Sequence, residues 1–128
     1  MPLLTKAQIL GAEDLEHRDV AVPEWGGTVR VRCMTGEERD AYETSLYNGE
    51  KVNLDNVRAR LLVLTLIDET GNRLFAEVAD IAALGKKSVR AMQRVFEVAK
   101  ELNALDTETL KELAKNSATG PGAGSPSA

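Results

Sequence analysis

The sequence predicts an α+β fold, mostly α, in which an N-terminal β-hairpin packs on a small bundle of four to five helices. Three observations predict it. Aromatic residues make up only 4% of a chain that is 43% apolar, so the core must be built mainly from Leu, Val, Ile and Ala, a composition that favours helix-on-helix packing. Val20, Val22, Val29 and Val31 alternate with other residues at period two on either side of a turn-forming segment. Downstream, apolar residues recur at helical spacing behind capping signals. At 128 residues a single domain is expected. We place it over residues 1–116, with a disordered tail over 117–128.

Each element has a local reason. "TKAQIL" (5–10) supports one or two helical turns with Thr5 as N-cap. Asp14 to Arg18 is polar and reads as loop. Strands over 18–22 and 28–34 form a hairpin around "PEWGG", where Pro23 cannot donate a ladder hydrogen bond and Gly26 and Gly27 permit positive φ. Thr35 followed by Glu38 is a capping box, and the helix it opens runs to about Tyr47, with Tyr42 and Leu46 on its inner face and Asn48-Gly49 as its stop. Asn53 is the expected cap of a helix from Leu54 to about Ile67, with Leu54, Val57, Leu61 and Leu64 on one face. Its second half, "LLVLTLI" (61–67), is apolar all round, which suits a central buried helix; a short β-strand is the alternative. "DETGNR" (68–73) is a turn, "LF" (74–75) returns to the core, and "AEVADIAAL" is a short helix ended by Gly85. Ser88 or the lysines before it open the longest helix, "SVRAMQRVFEVAKELNAL". A further helix, "DTETLKELAKN", starts at Asp106 or Thr107. The Gly-, Pro- and Ser-rich stretch 117–128 cannot bury enough apolar area to offset its chain entropy.

The chemistry that the chain lacks is informative. The single His17 and single Cys33 build neither a triad nor a zinc site, and one cysteine forms no internal disulfide. "LGKKS" (84–88) resembles the end of a phosphate-binding loop but lacks the upstream glycine, since 79–84 read "ADIAAL". "DETGN" lacks the spaced oxygen ligands of a calcium loop. We expect no enzyme activity, no metal and no cofactor. A formal net charge of -4 argues against nucleic acid as a partner. No run is long enough to span a bilayer, and the first ten residues do not read as a signal peptide.

The residues of interest are apolar. On a wheel of about 100° per residue, the apolar side chains of 89–102 cover roughly half the circumference, wider than one packing contact requires. One reading is a helix sandwiched between two neighbours inside the domain. The sharper reading turns Val89, Met92, Phe96 and Ala99 to the domain's own core and offers Ala91, Val95, Val98 and Leu102 to a partner. Trp25, the one Trp of the chain, either folds over the sheet edge or docks on a helix, or serves as a binding anchor.

"VPEWGGTVRVR", "TGEERDAYE", "DETGNRLF" and "ALGKKSVRAMQRVFEVAKELN", in this order, resemble the tail assembly chaperones of long-tailed bacteriophages or prophages over about residues 3–116. The resemblance implies a non-enzymatic chaperone that coats the hydrophobic, helical tape measure protein before the tail tube polymerises around it. It implies action in the host cytoplasm and absence from the finished virion. A frameshifted longer product would recruit tail tube protein, and a homo-oligomer is a further expectation. The matched positions, among them Trp25, Gly26, Thr35, Glu38, Phe75 and Gly85, read as turns, caps and anchors. A small tail or connector subunit and an antitoxin-like interaction module are the alternative functions.

Overall fold

The structure, a computed structural model, describes residues 2–105. The helix expected from Asp106 or Thr107 and the tail expected over 117–128 lie outside the described residues.

The alternating valines form the hairpin. Strand β1 (His17–Val22) pairs antiparallel with β2 (Gly27–Arg32), with Val20 opposite Val29 and Val22 opposite Gly27. Val20, Val22 and Val31 are buried, while Asp19 and Arg30 pair across the exposed face at 2.7 Å. The strand begins at His17, inside the stretch expected to be loop, because the cross-strand partners Arg32 and Val31 extend the ladder over polar residues. Pro23–Trp25 form one 3-10 turn, and Gly26 closes it at φ 77. Only Gly26 uses the left-handed region here; Gly27 is the first residue of β2.

Ahead of the hairpin, α1 (Lys6–Gly11) starts in a capping box made by Thr5 and Gln8, and none of its residues is buried. Past the hairpin, α2 (Gly36–Ser45) starts in the expected box: Thr35 Oγ1 accepts from Glu38 N–H at 3.1 Å, and Glu38 Oε1 accepts from Thr35 N–H at 3.0 Å. Tyr42 and Leu46 are buried, as their spacing predicts. Asn48-Gly49 is more than a stop, since it turns β3 (Tyr47–Asn48) back onto β4 (Lys51–Val52).

Helix α3 (Val57–Thr65) begins three residues later than expected. The Asn53 side chain accepts from Asp55 N–H, a local turn that competes with helix, and Asn56 sits at φ 52 directly before α3. The apolar run 61–67 divides between both readings: it is helix to Thr65, then β5 (Leu66–Ile67), which pairs antiparallel with β2. The sheet order is therefore β1-β2-β5. A segment apolar all round can serve as either element, and the open edge of β2 decides where it changes. In "DETGNR", Asp68 Oδ1 accepts from the N–H groups of Thr70 and Asn72. Phe75 then packs on the core, but Leu74 is 49% exposed, so only one of the two returns.

Helix α4 (Ala79–Leu84) ends at Gly85, where a Cβ would collide with the Asn56 side chain. The glycine thus lets the start of α3 approach the end of α4. Helix α5 (Val89–Leu102) is capped by Ser88, whose Oγ accepts from Ala91 N–H at 3.2 Å. It packs on α3 and across both strands of the hairpin.

That double contact corrects the expected faces of α5. Ala91 and Val95 are wholly buried at 0% exposure, Val98 and Leu102 are half-buried against the core, and Val89 is 65% exposed. Met92, Phe96 and Ala99 are buried as expected. A helix held between a sheet and another helix buries two arcs, and the sandwiched reading is the one the fold adopts. Lys100, on the face expected to be solvated, is only 7% exposed, its Nζ 5.3 Å from the Phe96 ring centre and 3.2 Å from Glu97 Oε1.

Candidate functional site

An open apolar cleft of about 660 Å3 lies where the hairpin turn meets α4. Glu24, Trp25, Phe75, Ala83, Leu84 and Lys87 line it. Each wall has a local cause. The 3-10 turn carries Trp25, and Gly26 lets the chain turn back immediately into β2. Arg94 of α5 holds this turn through a forked ion pair with Glu24, at 2.8 and 3.3 Å. Phe75 is placed by Arg73, which donates to the carbonyls of Val63 at 2.9 Å and Phe75 at 3.0 Å. Ala83 and Leu84 come from the last turn of α4, and Lys87 N–H donates to Leu84 O at 3.0 Å. Lys87 also borders a smaller cleft of about 200 Å3, whose lining includes Leu54, Val57, Val89 and Met92. Val78, between Phe75 and α4 in the chain, is 86% exposed.

The cleft combines apolar walls with one acid and one base at its border, Glu24 and Lys87. Lys86, Lys87, Arg90 and Arg94 fall within nine residues of the chain. The Arg94 hydrogen bond holds the Glu24 carboxyl below its usual range, helped by the turn's own backbone and by Arg90. Trp25 is half-buried, yet its Nε1–H is shielded from solvent and has no hydrogen-bond partner among the described residues. A buried donor left unmatched is costly.

The corner between β2 and α2 is a structural device. Arg32 grips Glu38 with two hydrogen bonds of 2.9 and 2.8 Å, and it also donates to Cys33 O. Partial burial pushes the Glu38 carboxyl up, but Arg32 and the Thr35 N–H outweigh it, and the net shift is downward. Asn103 ties the end of α5 to the same corner: its Oδ1 accepts from Met34 N–H at 2.6 Å, and its carbonyl accepts from Arg39 at 2.8 Å.

Of the residues offered on sequence grounds as partner-binding, Trp25 alone lines the cleft; Phe75, a matched position in the resemblance, lines it too. Ala91 and Val95 are core residues beneath the hairpin and α3, which leaves no surface on them for a partner to touch. Phe75, Ala83, Leu84 and Lys87 form the other wall, which sequence periodicity did not assemble, because they come from a turn exit, a six-residue helix and a connector. His17 is exposed on β1, and the Cys33 thiol donates to Met34 O. Among the described residues, no group of three His, Cys, Asp or Glu is placed to hold a metal, and no helix is long and apolar enough to cross a membrane.

Fold and cleft together define a small α+β domain with an apolar recess bordered by Glu24 and Lys87. The family described as phage tail assembly chaperone matches residues 5–116, and the chain belongs to that family. The fold is similar to that of a solved structure, the bacteriophage HK97 tail assembly chaperone, with a TM-score of 0.54 at 20% identity, covering 75% of this chain and 90% of that one. No curated protein matches the chain.

Proposed function

We propose that this chain binds apolar helical segments of the tape measure protein and keeps them soluble until the tail tube forms around them. It acts in the host cytoplasm, leaves before the virion is complete, and works by binding rather than by catalysis. A frameshifted longer product reaches tail tube protein, and copies of the chain assemble on the client. The observation that carries this reading is the open Trp25–Phe75–Leu84 cleft in a member of this family. An apolar groove takes the apolar stripe of an amphipathic helix, and a Trp at its edge is a typical anchor.

The test is co-expression with the long helical protein encoded downstream, scoring soluble client and its co-purification. Trp25→Ala and Phe75→Ala should each reduce co-purification while the far-UV circular dichroism stays native. A client equally soluble without this protein refutes the chaperone reading. A client rescued equally by both variants refutes the cleft as its seat. As Trp25 is the chain's only Trp, its fluorescence should also shift when client peptide is added.

A further inference from the structure

The connector "GKKS" (85–88) between α4 and α5 separates two recesses. On one side lies the Trp25 cleft. On the other lies the smaller cleft of about 200 Å3, walled by Leu54 and Val57 before and at the start of α3 and by Val89 and Met92 of α5. Lys87 lines both. Their closeness has a cause in the sequence. Gly85 carries no Cβ, so the Asn56 side chain sits against the end of α4, and the start of α3 is drawn up beside it. Five residues separate Leu84 in one wall from Val89 in the other, a reach of up to about 17 Å.

The second cleft is an unfinished piece of core. Leu54 and Val57 pack on the central cluster but are only half-buried, and Met92 closes the floor. Val89 is 65% exposed, although Val98 and Leu102 at the far end of the same helix are half-covered. The two linings together carry one acid, Glu24, and two bases, Arg58 and Lys87. Glu24 is held by Arg94. Arg58 donates to Gln93 Oε1 at 2.7 Å and lies 5.8 Å from the Phe96 ring centre. The Lys87 ammonium is exposed and has no partner among the described residues. Asp55, Glu77, Asp80 and Lys86 lie close in the chain but line neither cleft. Of the three lining charges, the uncommitted one therefore stands between two apolar recesses.

We infer that the client helix crosses the connector and occupies both clefts, with one apolar side chain against Trp25, a second against Val89 and Leu54, and a carboxylate on Lys87 between them. This rests on the Trp25 cleft as the client's seat and adds the chemistry of what it selects: apolar residues at i and i+7 with Asp or Glu at i+3 or i+4. Those positions share one face of a helix, and seven residues rise about 10.5 Å, within the span that the chain allows between the walls. One cleft would hold an apolar stripe in any register. Two clefts with a charge between them fix the register and direction of the bound helix.

The test uses the full chain and alanine-based helical peptides of about 18 residues, with Leu at i and i+7 and Glu at i+3. Binding is read from Trp25 fluorescence. Replacing the peptide Glu by Lys should weaken binding about tenfold, and Lys87→Glu should reverse that preference. Replacing the second Leu by Gln should also weaken binding about tenfold, while Val89→Asp, whose side chain stands in solvent, should bind the two peptides alike. Circular dichroism of both variants should stay native. If both variants keep the native order of preference, the second cleft and Lys87 take no part and this inference is overturned, with the Trp25 cleft still the client's seat. If no peptide alters the fluorescence, the Trp25 reading falls and this inference with it.

Discussion

Two valines six residues apart on α5 should respond in opposite ways to the same change. Val95 is 0% exposed and belongs to the central cluster; Val89 is 65% exposed in the first turn. Val95→Ala removes two methyl groups, worth about 0.8 kcal/mol each by transfer, and leaves a cavity that raises the total to about 2 kcal/mol. Val95→Asp buries a carboxylate for which the apolar cluster offers no partner. A cost of several kcal/mol would consume much of the roughly 5–15 kcal/mol that stabilises a domain, so this variant should be largely unfolded. Val89→Asp places a carboxylate in water beside the N-terminus of α5, where the helix dipole favours it, and should change stability by less than about 0.5 kcal/mol. Urea unfolding followed at 222 nm measures all three. If Val95→Ala costs under about 0.5 kcal/mol, or Val95→Asp folds as well as Val89→Asp, the assignment of α5 to two buried arcs is wrong.

Other positions give independent checks. Gly26→Ala should destabilise by about 1 kcal/mol because Gly26 sits at φ 77, whereas Gly27→Ala should be nearly neutral; a Cβ meets nothing within 4 Å at either site, so equal losses would reject the conformational explanation. Asn103→Ala leaves the Met34 N–H without its acceptor and should cost about 1–3 kcal/mol in the same assay. Glu38→Gln keeps an oxygen for the Thr35 N–H but loses the charge that faces Arg32, and should cost about 1–2 kcal/mol at pH 7. Since the folded-state pKa of Glu38 is depressed, its contribution is full above the ordinary value of 4.5 and fades as pH falls through the lower folded value. The stability gap between Glu38→Gln and the native protein should therefore close on acidification below about pH 4.5, and a gap that persists to low pH would contradict the pairing.

Local signals determined much of this protein. The period-two valines, the Thr35–Glu38 box, the "DETGNR" turn and Ser88 as the α5 cap all act within a few residues, and each element formed where its own sequence put it. The helix-rich α+β class followed from the same signals and the shortage of aromatics. Tertiary structure decided what depends on a distant partner. "LLVLTLI" is apolar on every side, so its own pattern does not fix the change from helix to strand; the free edge of β2 does, by pairing with Leu66 and Ile67. The half-apolar surface of α5 was plain on the helical wheel, but which arc met solvent depended on α3 and the hairpin closing over Ala91 and Val95 while leaving Val89 outside. Trp25 could be singled out as a candidate because it is unique in the chain. That Phe75 and Leu84, about 50 and 60 residues away, would be its neighbours could not be read from the sequence, because a cleft is a property of surfaces brought together across a sheet and a helix end, and hydrophobic periodicity records only the face that each element turns inward.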